Sequence, residues 1–256
     1  MSFENIIYQK ADRVAWITIN RPPYNVINLK TIREMNEAVR DAMEDAESKV
    51  IVINSAGDKA FSTGVDVKDH APETMDEMLA TFDTLCYRLI SGAKPTVAVV
   101  KGMALGGGCE VAIACDMVIA SEKAQIGQPE IKVGVYPSAA AALLPRLISW
   151  KKSLELLLTG DSISAEEARQ IGLVNVVAPE DQLDEAVRRF LGRLTDKSLV
   201  VLQCAKKAYL RALDLPLKEA LDAVEDDYKN SLMKTEDALE GINAFMERRK
   251  PVWKDR

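Results

Sequence analysis

Apolar and polar residues alternate from Arg13 to Asn20 (RVAWITIN). A period of two carried by β-branched side chains predicts a strand, and Arg21-Pro22-Pro23 stops it. From Leu29 to Glu47 the period changes: Ile32, Met35, Ala38, Val39, Ala42, Met43 and Ala46 recur at helical spacing. Val50–Asn54 is a short continuous apolar run, read as a buried strand, and Ser55–Asp58 is a turn. The spacing predicts a helix over Pro72–Ile90 and a buried strand over Pro95–Val100. Gly102–Gly108 reads as loop, Cys109–Cys115 as a short apolar helix and Asp116–Ala120 as a strand. Strands alternating with helices of this length imply βα crossovers and a largely parallel sheet.

Beyond that point the pattern is nearly all helix. Ala139–Ile148, Lys151–Leu158, Ser164–Ile171, Glu180–Leu194, Asp196–Leu213, Leu217–Leu232 and Thr235–Glu247 all fit a helical repeat. Ser164 with Glu167 forms a capping-box pattern, and Gly172 stands where a helix C-cap belongs. Leu173–Val177 is one late strand. The pattern divides the chain into a core, residues 1–195, and a helical C-terminal region, residues 196–256. No internal repeat or low-complexity segment is present.

Composition narrows the partners. The 256 residues are 48% apolar and 28% charged, which is globular and not disordered. A net charge of −6 argues against nucleic acid, because a phosphate backbone needs a basic face. It leaves room for an anionic ligand at a local site. No apolar run is long enough for a membrane span, and the acidic N-terminus does not read as a signal peptide. Cys86, Cys109, Cys115 and Cys204 form no CxxC pair, so they read as reduced core thiols of a cytoplasmic protein. With His70 the only histidine, the usual imidazole metal ligands are missing, and no metal is expected. A Ser-His-Asp machine would have to run through His70, but no GxSxG elbow accompanies it. His70 reads as a loop residue near a proline.

The chemistry-bearing stretch lies between Gly106 and Glu130. Gly106-Gly107-Gly108 precedes a helix, so free amides and the positive end of the helix dipole face the loop. That arrangement suits a phosphate or a developing oxyanion, or simply a tight turn. Gly106 and Gly108 fit the first two glycines of a dinucleotide fingerprint, but Val111 stands where the third belongs. Glu130 also lies outside the strand that should end in the ribose-binding acid. Glu110 opens an apolar helix and Glu130 follows Pro129 in an apolar setting. Burial of either carboxyl raises its pKa toward the range useful for proton transfer. Each residue alone also fits a plainer role, Glu110 as a helix-dipole partner above all. In Phe61–Asp66 another glycine follows a buried strand, and the Val65 amide is a candidate second oxyanion donor.

Five segments together resemble one family. AFSTGVDVKD (Ala60–Asp69), GMALGGGCEVAIACDMVIAS (Gly102–Ser121), AQIGQPEIKVGVYP (Ala124–Pro137), LTGDSISAEEARQIGLVN (Leu158–Asn175) and FMERRKPVWKDR (Phe245–Arg256) resemble the enoyl-CoA hydratase/isomerase (crotonase) superfamily. The resemblance implies an α/β fold: a crotonase-like spiral of ββα units followed by a C-terminal helical trimerisation region. It implies homotrimers or homohexamers, an acyl-CoA thioester substrate, and no cofactor apart from the coenzyme A of that substrate. The backbone amides of Val65 and Gly107 match its oxyanion-hole positions. Glu110 and Glu130 match its catalytic carboxylates. Val65, Asp66, Val67 and Lys68, with Gly106, match its substrate-binding positions. Phe245 and Arg248 match tail positions that help hold coenzyme A in some members.

Family membership leaves the reaction open, and the site must decide it. Two acids favour a hydratase, since an isomerase needs one shuttling base; a nicotinamide oxidoreductase and a non-catalytic binding protein are the other readings. The chain departs from ordinary hydratases at Val65, where alanine is usual, and at Ser138–Pro145 (SAAAALLP), where a GAGG run is usual. With RPPYNVIN (Arg21–Asn28), these features resemble the cyclohexa-1,5-diene-carbonyl-CoA hydratases of anaerobic benzoyl-CoA degradation. A straight-chain 2-enoyl-CoA hydratase or isomerase of fatty-acid β-oxidation is the alternative.

Overall fold

Three successive pairs of strands along this chain each split between two sheets. A computed structural model describes residues 2–256. β3 (Val50–Ser55) is followed by β4 (Ala60–Ser62), β5 (Thr96–Val100) by β6 (Met103–Leu105), and β7 (Met117–Ser121) by β8 (Gln125–Gly127). The first member of each pair joins a six-stranded sheet of order β1-β2-β3-β5-β7-β10. The second joins a four-stranded sheet of order β4-β6-β8-β9. In these sheets β1 is Ile6–Ala11, β2 Val14–Ile19, β9 Ser162–Ser164 and β10 Val176–Ala178. Apart from the antiparallel pairs β1/β2 and β8/β9, neighbouring strands run parallel. This is the ββα spiral that the resemblance implied.

The continuous apolar runs are explained by cover on both faces of the large sheet. Ala15, Ile17, Ile51, Ile53, Ala98 and Val100 turn toward the main core. The alternate positions Val14, Val50, Val52, Val97, Val99 and Ile119 pack against Leu183, Val187 and Leu191 of α7 (Leu183–Thr195). The main core also takes the apolar stripe of α1 (Leu29–Glu44), that of α2 (Met75–Ser91), and the apolar side chains of α3 (Gly107–Ala114) from Cys109 onward. Asn28 starts α1 by accepting from the Thr31 amide at 2.9 Å.

Several boundaries move. Gly102–Gly108 is not all loop: it contains β6, and α3 begins at Gly107 rather than Cys109. α2 starts at Met75 and α7 at Leu183, each after a short turn, and the late strand is shifted to Val176–Ala178. β1, β4, β8 and β9 have no counterpart in the hydrophobic pattern; three of these have only three residues, too few to show a period. Ser164 caps α6 (Ala165–Gln170) through the Glu167 amide at 3.1 Å, but the Glu167 carboxylate pairs with Lys152 instead of closing the box. The other helices are α4 (Ser138–Leu147), α5 (Trp150–Thr159), α8 (Leu199–Ala212), α9 (Leu217–Asn230) and α10 (Glu236–Met246). Among the described residues, no helix is long and apolar enough to cross a membrane.

Candidate active site

The segment Arg21–Asn28 builds one wall of the site. Asn25 is fully buried, and its Nδ2 donates to the carbonyls of Ala56 (2.9 Å) and Ala60 (2.8 Å), pinning the loop to β4. Thr63 N donates to Tyr24 O (3.0 Å), Ile27 N to Gly64 O (2.9 Å), and Asp66 N to Ile27 O (2.9 Å). Val65 pairs with Ile27 in a parallel bridge, which leaves the Val65 N–H on the opposite side with no protein acceptor.

That side faces α3. A Cβ placed on Gly107 would lie 3.2 Å from Val65 N and 2.7 Å from its Cγ2, so the two backbones approach as only glycine allows. Gly107 N belongs to the first helical turn and has no acceptor either. Two unpaired N–H groups therefore stand side by side at a helix N-terminus. This is the geometry of an oxyanion hole. Gly106, at φ +54, is tied to the end of β8 by its N–H to Gly127 O (3.0 Å).

Both glutamates come to this point by different routes. Glu130 lies in the short 3-10 turn Pro129–Val133 after β8. A Cβ on Gly106 would lie 2.5 Å from Glu130 Oε1, so the carboxylate rests against the glycine. Its other oxygen, Oε2, is buried without a partner. Glu110 sits in the first turn of α3 at 5% exposure. Its Oε1 accepts from Ala140 N in the first turn of α4 (2.8 Å). The alanine run after Pro137 thus supports Glu110 directly, a role the sequence did not show. Burial pushes the Glu110 carboxyl up to about 7; the Ala140 amide opposes this and the nearby Glu130 charge reinforces it. Burial also raises Glu130, while its own backbone amide and His70 lower it.

The remaining strip is arranged along the mouth. Asp66 caps the turn Val67–His70 by accepting from Lys68 N (3.1 Å). Val67 is 77% exposed, and Lys68 is exposed. Glu130 returns to the glycine loop and ends no strand of the sheet, which counts against the dinucleotide reading. Phe245 is exposed at the end of α10, and Arg248 follows it at φ +55. A separate cavity of about 540 Å³ lies under α7 on the far face of the large sheet, lined by Trp16, Asn54, Lys101 and Arg188. It holds none of these site residues.

Two backbone amides without acceptors thus lie beside two carboxyls raised by burial, an arrangement that can hold an oxyanion and move a proton. The chain matches the enoyl-CoA hydratase/isomerase family over residues 9–256. It is 38% identical to a probable enoyl-CoA hydratase of Mycobacterium bovis over 259 residues, covering 100% of both chains. It is also 38% identical to a crotonyl-CoA hydratase of Syntrophomonas wolfei, covering 98% of each. The crystal structure of an enoyl-CoA hydratase from Bacillus anthracis superposes with a TM-score of 0.93 at 32% identity, covering 99% of this chain and 100% of the other. The chain belongs to the enoyl-CoA hydratase/isomerase family, with the crotonase fold, and is an enzyme of hydro-lyase type.

Proposed function

We propose that this enzyme adds water across a carbon–carbon double bond conjugated to a CoA thioester. The observation that carries the reading is the pair of raised carboxyls, Glu110 and Glu130, beside the unpaired Val65 and Gly107 amides. The thioester oxygen accepts from both amides, which stabilises the enolate as charge moves onto it. One glutamate takes a proton from water as its oxygen bonds to the β-carbon. The other, protonated at the start, gives its proton to the α-carbon, so one water is consumed and the two carboxyls end with their protonation states exchanged, until a proton passes from the first to the second through solvent. Burial holds Glu110 near 7 and raises Glu130 as well, so both carboxyls are shifted toward the range useful for proton transfer. Asp66, Val67 and Lys68 line the approach for the CoA chain, and no cofactor is needed.

Loss of enoyl absorbance from crotonyl-CoA tests the reaction. Glu130→Gln and Glu110→Gln should each lower kcat by about 10²–10⁴. Full activity in either variant rules out the acid–base roles of the pair. Solvent ¹⁸O appearing in the product separates hydration from isomerisation.

A narrower substrate is favoured by the pocket wall. Val65 carries a bulkier side chain than the alanine usual at the oxyanion donor, and α4 opens with alanines at 139–142 where a glycine run is usual. We infer a cyclic dienoyl-CoA, hydrated from cyclohexa-1,5-diene-1-carbonyl-CoA to a 6-hydroxycyclohex-1-ene-1-carbonyl-CoA in aromatic-ring degradation. The name of the Syntrophomonas relative supports the straight-chain alternative. The ratio of kcat/KM for the cyclic diene against crotonyl-CoA decides between them, and a ratio below one sinks the ring substrate.

We also propose a cytoplasmic homotrimer or a hexamer of paired trimers, formed through residues 196–256 as a helical unit distinct from the core 1–195. Support comes from the apolar side chains those helices expose, among them Tyr209, Leu217, Leu221, Phe245 and Met246. The four free cysteines fit a reducing compartment. Light scattering of the purified chain gives the mass; a monomer at micromolar concentration rules the assembly out.

A further inference from the structure

The cavity of about 540 Å³ under α7 takes no part in the chemistry above. Its floor is the outer face of the large sheet, where Val14, Trp16, Asn54 and Val99 lie. Its wall is a stripe of α7 at helical spacing, Asp184, Val187, Leu191 and Thr195. From Asp184 to Thr195 that stripe runs about 16 Å. The two ends of the groove differ. Ile53 pairs with Ala98, so Asn54 stands beside Val99, with Lys101 two positions further on. Lys101 Nζ lies 3.6 Å from Asp184 at the start of α7. At the opposite end, past Val14, is the exposed Asp12 of the β1–β2 turn. Asn54 is the anomaly. It follows the apolar run VIVI, strands disfavour asparagine, and its Oδ1 is buried with no hydrogen-bond partner. An orphan of that kind costs stability and calls for an explanation.

We propose that this groove is a second binding site, for the free carboxylate of an unbranched, medium-length fatty acid. The carboxylate sits between Lys101 Nζ and the Asn54 amide, which turns about its last side-chain bond to donate from Nδ2. The chain runs along Trp16 and Val14 beneath Leu191, and burial of its methylenes drives binding. A concave, mostly apolar site with a few polar groups at one end is the usual form for such a ligand. The charges fix its direction. Asp12 repels a carboxylate at the far end. Asp184 competes for Lys101, but it is 82% exposed and its contact is loose, so it contributes little against a sheltered carboxylate. The other polar groups nearby are committed: Arg188 pairs with Glu185, and the Ser55 hydroxyl donates to Ala60 O (3.1 Å). Lys101 and Asn54 are left to hold the head.

Titration calorimetry of the full chain with sodium octanoate reads the site directly. One saturable event per chain is expected. The alcohol n-octanol, with the same chain length and no charge, should bind about tenfold more weakly. Asn54→Leu and Lys101→Met should each weaken octanoate by about tenfold. Leucine continues the apolar run and removes the orphan oxygen, and Lys101 stands at the rim, so its variant carries the test should leucine disturb the sheet. Glu130→Gln lies in the thioester site and should leave the octanoate affinity unchanged. No binding to the wild type, equal binding of octanol, or full affinity in either folded groove variant overturns the proposal. So does an affinity lost in Glu130→Gln, which places the acid in the thioester site instead. None of these measurements needs turnover. An enzyme that hydrates no enoyl-CoA therefore fails the functional reading alone, and the groove still stands or falls by octanoate.

Discussion

Glu130 owes its place to a missing side chain. Because a Cβ on Gly106 would lie 2.5 Å from Oε1, Gly106→Ala must push the carboxylate away. The positive φ of +54 adds strain for any other residue. A displacement of about 1 Å at a reacting group costs on the order of 10²-fold in rate. Gly106→Ala should therefore lose about that much kcat/KM while circular dichroism stays native; activity within threefold of wild type contradicts the contact. Glu110 makes a different prediction. Burial raises its pKa in the folded state from 4.5 to about 7. Its contribution to stability is thus complete below about 4.5 and is lost as pH climbs through 7. Glu110→Gln keeps an acceptor for the Ala140 amide and removes the buried charge. It should unfold later than wild type at pH 8, by up to roughly 3 kcal/mol, with the gap closing toward pH 4. Equal urea midpoints at both pH values would refute the raised carboxyl.

At the scale of elements, α3 carries one amide donor and one carboxyl of the site, Gly107 and Glu110, and none of it is exposed: every residue from Gly107 to Ala114 is buried. Eight residues are too few to hold such a helix by propensity, so packing must place it. Gly108 is where it touches β4. A Cβ there would meet the Ser62 carbonyl and lie 2.7 Å from the Ser62 Cβ. Gly108→Ala should cost about 1–3 kcal/mol, as overpacked cores do, and should lower activity too, because the same shift parts Gly107 from Val65. Urea unfolding and crotonyl-CoA turnover measure the two effects. A loss of stability with full activity would mean that α3 and β4 can move apart without opening the oxyanion hole.

Across the whole molecule, the last residues return to the first strands. Asp255 Oδ1 lies 2.9 Å from Nζ of Lys49, whose side chain is 1% exposed, and accepts from Leu199 N at the start of α8 (2.7 Å). Asp237 accepts the amides of Lys254 (2.8 Å) and Asp255 (2.9 Å), and Trp253 Nε1 donates to Asp196 O (2.8 Å). The tail thereby joins α8 and α10 to the core. Asp255→Ala leaves the buried Lys49 ammonium with the Lys197 carbonyl (2.5 Å) but no counter-charge, and breaking such a pair should cost about 3 kcal/mol. Adding Lys49→Met should recover part of it, since each change removes the other's penalty. Additive losses in urea would show that the pair is not coupled. Limited proteolysis should cut the tail of Asp255→Ala first.

The long elements were legible because their periods report which faces are covered: RVAWITIN, VIVIN and the α1 and α2 stripes all lie where the spacing put them. Glu110, Glu130, Val65 and Gly107 were legible as matches to three of the five family segments, and physical reading of the residues alone left the glycine loop open between a phosphate cradle and an oxyanion hole. The sequence determined which groups were available. Only the tertiary structure decided what they do: three-residue strands too short for a period brought Val65 to Gly107, and the α4 amides to Glu110.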